Sequence, residues 1–133
     1  MRQILVDTSA LYALADAQDP DHQAVADFVR GIKDATLIVT DYILGETLTL
    51  IKFRFGSQPA IEMGKKLRAS HFCTLVHIDP QDEAQTWETF KEYHDKLWSY
   101  TDCSTFVIMQ KLGITQALAL DHHFDQMGMQ RLP

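Results

Sequence analysis

The sequence predicts an α/β protein, a three-layer α/β/α sandwich around a central parallel sheet of four to five strands. Short β-prone apolar runs alternate with longer stretches of helical periodicity along the whole length. Cap and turn signals stand at the junctions, among them Asp7-Thr8-Ser9, Thr40-Asp41 and Asp79-Pro80. No repeat, linker or low-complexity tract interrupts the 133 residues, a length that suits one core. A single domain over residues 1–133 is therefore expected.

Taken in order, residues 3–6 (Gln3-Ile4-Leu5-Val6) form the first expected strand, which stops at the helix-start cluster Asp7-Thr8-Ser9. Helical patterns follow near residues 9–16 and 21–33, and residues 36–39 make a second strand. Thr40-Asp41 caps a helix running to about Phe55, where Gly56 marks the stop, and residues 58–70 read as another helix. Residues 74–78 are a third strand. Asp79 then reads as N-cap and Pro80 as first residue of a long helix to about Trp98. Thr101 is expected to cap a further helix ending near Gly113. Residues 114–120 make a fourth strand, 121–126 a short helix before Gly128, and 129–132 a small edge strand. Strands joined by helices run parallel, with helices on both faces and ligands at the carboxyl ends of the strands.

Apolar residues make up 46% and charged residues 23%, ordinary for a soluble globular domain. A net charge of −6 excludes a passive nucleic-acid coat, but not an enzyme that meets phosphates through metal ions. The cations are uneven: Lys52, Arg54, Lys65, Lys66 and Arg68 cluster in a stretch whose one acid is Glu62. They are candidates for gripping a nucleic-acid strand, against the plainer reading of solvated helix faces. The N-terminal MRQILVDTSA carries too short an apolar run for a signal peptide, and nothing approaches a membrane span. A cytoplasmic protein is expected, with Cys73 and Cys103 reduced.

Acids stand where chemistry would sit. Asp7, Asp79 and Asp121 follow predicted strands, and Glu46 and Asp102 lie in first turns of helices that begin at the same edge. Carboxylates about 4 Å apart repel by roughly 4 kcal/mol at an effective dielectric near 20, so such a group takes up protons or cations. Hard divalent ions, Mg²⁺ or Mn²⁺, suit these oxygen ligands. Each acid also has a plain reading: Asp7 and Asp79 as caps, and Asp102 as a partner of the helix dipole. Glu46 lies off the stripe Ile43, Leu44, Thr47, Leu48 and Ile51, beside Leu50 and Phe53 on a flank expected to be partly buried. His122-His123 reads as helix-start or surface histidines, since adjacent residues diverge on a helix and hard sites rarely need imidazole. Cys103 lacks the base a catalytic thiol requires. Trp87, Phe90 and Trp98 read as core or partner-facing bulk.

In their order these motifs resemble the PIN-domain family, and in particular the VapC-like ribonuclease toxins of type II toxin–antitoxin pairs. Ile4-Leu5-Val6-Asp7-Thr8-Ser9-Ala10-Leu11 resembles the family's first motif, and Asp41-Tyr42-Ile43-Leu44-Gly45-Glu46 the helix carrying its glutamate. Tyr100-Thr101-Asp102-Cys103-Ser104 resembles the third motif, and Asp121-His122-His123-Phe124 the closing segment. The resemblance implies that Asp7, Glu46, Asp102 and Asp121 hold Mg²⁺ or Mn²⁺, with Asp125 one helical turn on as a possible substitute for Asp121. It implies that Ser9, with Thr8 beside it, orients an acid or a water. It further implies hydrolysis of RNA to 5′-phosphate and 3′-hydroxyl ends, an antitoxin partner and a homodimer. Relatives often place a hydroxyl two positions before the fourth acid, where this chain has Ala119. Two other magnesium-dependent classes fit poorly. An aspartate-based phosphotransferase wants a second aspartate at Ser9, and a receiver domain wants a lysine after the last strand. The non-enzyme alternative is a PIN-like module that only binds RNA or protein.

Overall fold

The computed structural model describes residues 2–69 and 71–133. Five strands form one parallel sheet among the described residues: β1 (Arg2–Val6), β2 (Ala35–Thr40), β3 (Thr74–Val76), β4 (Gln116–Leu118) and β5 (Gln130–Leu132), in the order β3-β2-β1-β4-β5. Between them run α1 (Thr8–Ala15), α2 (His22–Gly31), α3 (Asp41–Phe55), α4 (Ser57–Arg68), α5 (Pro80–Glu92), α6 (Tyr100–Leu112) and α7 (His123–Gln126). Register is fixed by pairs such as Ile4 with Leu37 and Val6 with Leu118. The strand residues Ile4, Leu5, Val6, Ile38, Val39, Ala117 and Leu118 are almost wholly buried, as expected of a parallel sheet covered on both faces.

The chain steps from β1 through β2 to β3 in one direction, then crosses back beyond β1 to β4 and β5. With right-handed crossovers, that reversal sends the helices of the two halves to opposite faces. It also makes the β1–β4 boundary the switch point, where the two chain exits diverge and leave a crevice.

Several boundaries differ from the sequence expectation, each for a tertiary reason. The helix expected to reach Trp98 ends at Glu92. Leaving the helix lets Trp98 enter the core at 6% exposure, beside Tyr93 and Phe106, with its indole N–H donating to Gln126 at 2.8 Å. The next helix is capped by Ser99, not Thr101. The Ser99 hydroxyl accepts from the Asp102 N–H at 3.0 Å, and Asp102 accepts from the Ser99 N–H at 2.9 Å.

β4 is shorter than expected because Ile114 N–H closes α6 onto the Met109 carbonyl, with Gly113 left-handed, and Leu120 N–H turns to the Ser9 hydroxyl. β3 stops at Val76, and Ile78 N–H then donates to the Asp41 carboxylate at 3.0 Å. The final short helix begins at His123 with His122 as its cap residue. The helix end expected at Ser70 lies outside the described residues; α4 runs to Arg68.

Candidate active site

The site grows from the end of β1. Asp7 is 3% exposed and caps α1, its Oδ2 accepting from the Ser9 N–H at 3.1 Å and the Ser9 hydroxyl at 2.8 Å. The same hydroxyl accepts from the Leu120 N–H at 3.0 Å. Ser9 therefore ties the exit of β1 to the exit of β4, one residue before Asp121. Burial pushes the Asp7 carboxyl up to about 6; the Ser9 hydrogen bonds oppose the rise, and the charges of Asp102 and Asp121 add to it. Asp7 is thus the helix cap that the plain reading expects, with a carboxyl raised by burial.

Asp102 reaches the same place from α6, where the capping box with Ser99 holds it at 7% exposure. Glu46 comes from α3 and is half-buried. The flank beside it is not buried as expected: Leu50 is 44% and Phe53 85% exposed, so Glu46 owes its cover to the cleft. Thr8 is buried and meets Thr47 of α3 at 3.3 Å between hydroxyls, which joins α1 to the glutamate-bearing helix. Asp121 stands exposed at the β4 exit.

Asp7, Glu46, Asp102 and Asp121 together line one cleft of about 370 Å³. It adjoins a hollow of about 510 Å³ that shares Thr8, Glu46 and Leu50 and adds Tyr42 and Thr101. Among the described residues, no three His, Cys, Asp or Glu side chains are drawn together tightly enough to enclose an ion. Carboxylates facing one another across a cleft stand apart by repulsion. The all-oxygen donor set nevertheless suits a hard divalent cation.

The other expected residues fall as follows. Asp125 accepts from Arg131 at 3.3 Å, lies 3.1 Å from His122 Nδ1, and is not among the residues lining the cleft; both neighbours hold its carboxyl below the usual range. Asp121, in contrast, lines the cleft. Asp79 is the cap of α5, in a capping box with Asp82. Lys52, Arg54, Lys65, Lys66 and Arg68 are all exposed on the α3–α4 hairpin, whose first helix carries Glu46. Lys65 meets Glu62 at 3.6 Å, and Lys66 lies over Phe72. Cys73 and Cys103 are free and buried, and burial pushes the Cys103 thiol up to about 11. Trp87 and Phe90 are exposed while Trp98 is core, so the expectation of core or partner-facing bulk divides between them.

Sequence reasoning missed two residues. Asp19, in the loop after α1, lines the cleft; the acid run Asp16, Asp19, Asp21 was the available signal. His123 does begin a helix, as expected, but its Nδ1 also lies 3.0 Å from Asp102 Oδ2. Only the fold brings that pair together.

A parallel α/β domain with a buried aspartate at its switch point and four further acids around one cleft has the all-oxygen donor set that hard divalent cations favour. A sequence model of the PIN domain matches residues 4–129, and the chain belongs to the PIN-domain family. It is 32% identical over 125 residues to the 23S rRNA-specific endonuclease VapC20 of Mycobacterium tuberculosis, covering 94% of each protein. It is 30% identical over 124 residues to a VapC ribonuclease of Archaeoglobus fulgidus, covering 90% of this chain and 78% of that one. The crystal structure of Mycobacterium tuberculosis VapC20, described as a sarcin–ricin loop cleaving toxin, superposes with a TM-score of 0.88 at 29% identity over 95% of each chain.

Proposed function

We propose that this protein is a metal-dependent endoribonuclease, the toxin of a toxin–antitoxin pair, in which Asp7, Glu46, Asp102 and Asp121 hold Mg²⁺ or Mn²⁺. The observation that carries the reading is Asp7. A carboxyl buried at a strand exit, raised to about 6 and facing two other acids, is costly to keep ionised unless a cation offsets it. A divalent ion there would lower the pKa of a coordinated water and offset charge building on the phosphoryl oxygens.

The chain's own residues supply the rest. Ser9 fixes the orientation of Asp7 and, through Leu120, the placement of the Asp121 backbone. The capping box fixes Asp102. The exposed cations of the α3–α4 hairpin lie on the element that carries Glu46, which suits them to the flanking phosphates of a bound strand.

The named relatives support ribosomal RNA as the first substrate class to test. No described helix is long and apolar enough to cross a membrane. An RNA substrate places the proposed enzyme in the cytoplasm. An antitoxin would cover apolar surface on α3 and α4, where Phe53 is 85% and Ile61 51% exposed. A homodimer would cover exposed bulk such as Trp87 and Phe90 of α5.

The test incubates purified protein with ribosomal and unstructured RNAs in Mn²⁺, Mg²⁺ or EDTA, beside Asp7→Asn. Cleavage that needs the metal and disappears in the variant supports the reading. RNA binding without cleavage or metal uptake would instead mark a non-catalytic module.

A further inference from the structure

We propose that His123 is a positioning residue for Asp102, donating from Nδ1 to Oδ2 so that Oδ1 is the oxygen Asp102 offers to the cleft. This rests on the nuclease reading above. His123 opens α7 just beyond the β4 exit, and its side chain is about three-quarters covered, at 26% exposure. Its Nδ1 is buried and makes no hydrogen bond of ordinary geometry, yet it stands 3.0 Å from Asp102 Oδ2. A buried ring nitrogen left without a partner is destabilising. A small turn of the ring onto the carboxylate removes that cost. It requires the tautomer protonated at Nδ1 and leaves Nε2 as the acceptor.

On the other side of the contact, Asp102 Oδ2 already accepts the Ser99 N–H at 2.9 Å. Both approaches fall on the same oxygen, from two different elements. Ser99 alone fixes Oδ2 only relative to its own helix. His123 fixes it relative to the segment that carries Asp121, so α6 and the β4 exit keep a set spacing across the cleft. The imidazole is not itself suited to hold the cation: its Nδ1 stands 3.0 Å from the carboxylate, and hard oxygen sites rarely recruit nitrogen. Ligating carboxylates are commonly held by such outer partners, whose loss weakens metal binding 10–100-fold.

The experiment titrates metal-free, RNA-free protein with Mn²⁺ by calorimetry, using the parent, His123→Ala and His123→Asn. An asparagine amide reaches roughly the position of Nδ1 and can donate from it. Mn²⁺ affinity should fall about 10–100-fold in His123→Ala and stay within a few-fold of the parent in His123→Asn, with equal melting temperatures in EDTA. Unchanged affinity in His123→Ala overturns the proposal. A second measurement needs no metal: ¹⁵N NMR of the parent imidazole should show Nδ1 protonated, and Asp102→Ala should abolish that preference. An Nε2-protonated ring in the parent also overturns it. If the parent takes up no Mn²⁺, the nuclease reading fails by itself, and the tautomer still decides the positioning role.

Discussion

Asp7→Asn should stabilise the fold at pH 8, leave it nearly unchanged at pH 4, and abolish cleavage. The Asp7 carboxyl rises from 3.8 to about 6, so the folded state binds its proton more tightly than the unfolded chain does. That contribution to stability is full below pH 3.8, drains away as pH rises through about 6, and is absent above. A shift of roughly two units at about 1.36 kcal/mol each amounts to nearly 3 kcal/mol. Asparagine has the same shape, carries no charge, caps a helix equally well and can still accept from Ser9. The gain at pH 8 is therefore about 2–3 kcal/mol, or about 5–10 °C in melting temperature for a domain of this size.

The assay is thermal unfolding in EDTA at pH 4 and pH 8. A variant less stable than the parent at pH 8, or an equal gain at both pH values, refutes the reasoning. The same series with Mn²⁺ at about 100 times its Kd should raise the parent by about 2.7 kcal/mol and leave the variant unmoved. Metal affinity of the parent should also fall as pH drops through 6, since the ligand must shed its proton.

Ser9→Ala strips a hydrogen-bond donor from Asp7 and an acceptor from the Leu120 N–H. It should cost about 1–3 kcal/mol in urea unfolding and move the acid limb of the activity profile to higher pH. Joint neutralisation of Lys52 and Arg54 to glutamine should raise KM for RNA with kcat little changed. The slope of log affinity against log salt should flatten by about one per lost phosphate contact, and an unchanged slope would remove those residues from the RNA path. Asp19→Asn, which takes one negative charge from the cleft wall, should lower KM, most visibly at low ionic strength; a higher KM would count against it as a repulsive wall. Trp98→Phe keeps an aromatic ring beside Tyr93 and Phe106 but loses the bond to Gln126 and some core volume, and should cost about 1–3 kcal/mol in chemical denaturation.

The parts of the molecule legible in its sequence are those governed by local rules. Asp41–Phe55 as a helix between a threonine cap and Gly56 follows from cap chemistry and periodicity, and so does Asp79-Pro80 opening α5. The shared placement of Asp7, Glu46, Asp102 and Asp121 was readable because a parallel sheet turns strand exits toward one rim, which is topology expressed as order along the chain. What was not legible depends on contacts far apart in sequence. Trp98 leaves a good helical pattern because its ring has a core to fill. Asp125, expected as a possible substitute for Asp121, pairs with Arg131 and His122 and does not line the cleft. His123 of α7 meets Asp102 at the start of α6 only in the folded chain, a contact that no spacing in the sequence encodes.

The Ser9–Leu120 bond has a consequence for synthesis. It joins positions 111 residues apart, and the cleft draws on residues 7, 46, 102 and 121. A nascent chain emerging at about 5–20 residues per second can pair β1 with β2 long before β4 exists. Until β4 arrives, β1 keeps one open edge, the Ser9 hydroxyl lacks its backbone donor, and Asp7 faces neither Asp102 nor Asp121. A chain that ends before residue 121 lacks part of the cleft, so on the proposed mechanism it has no complete acid set.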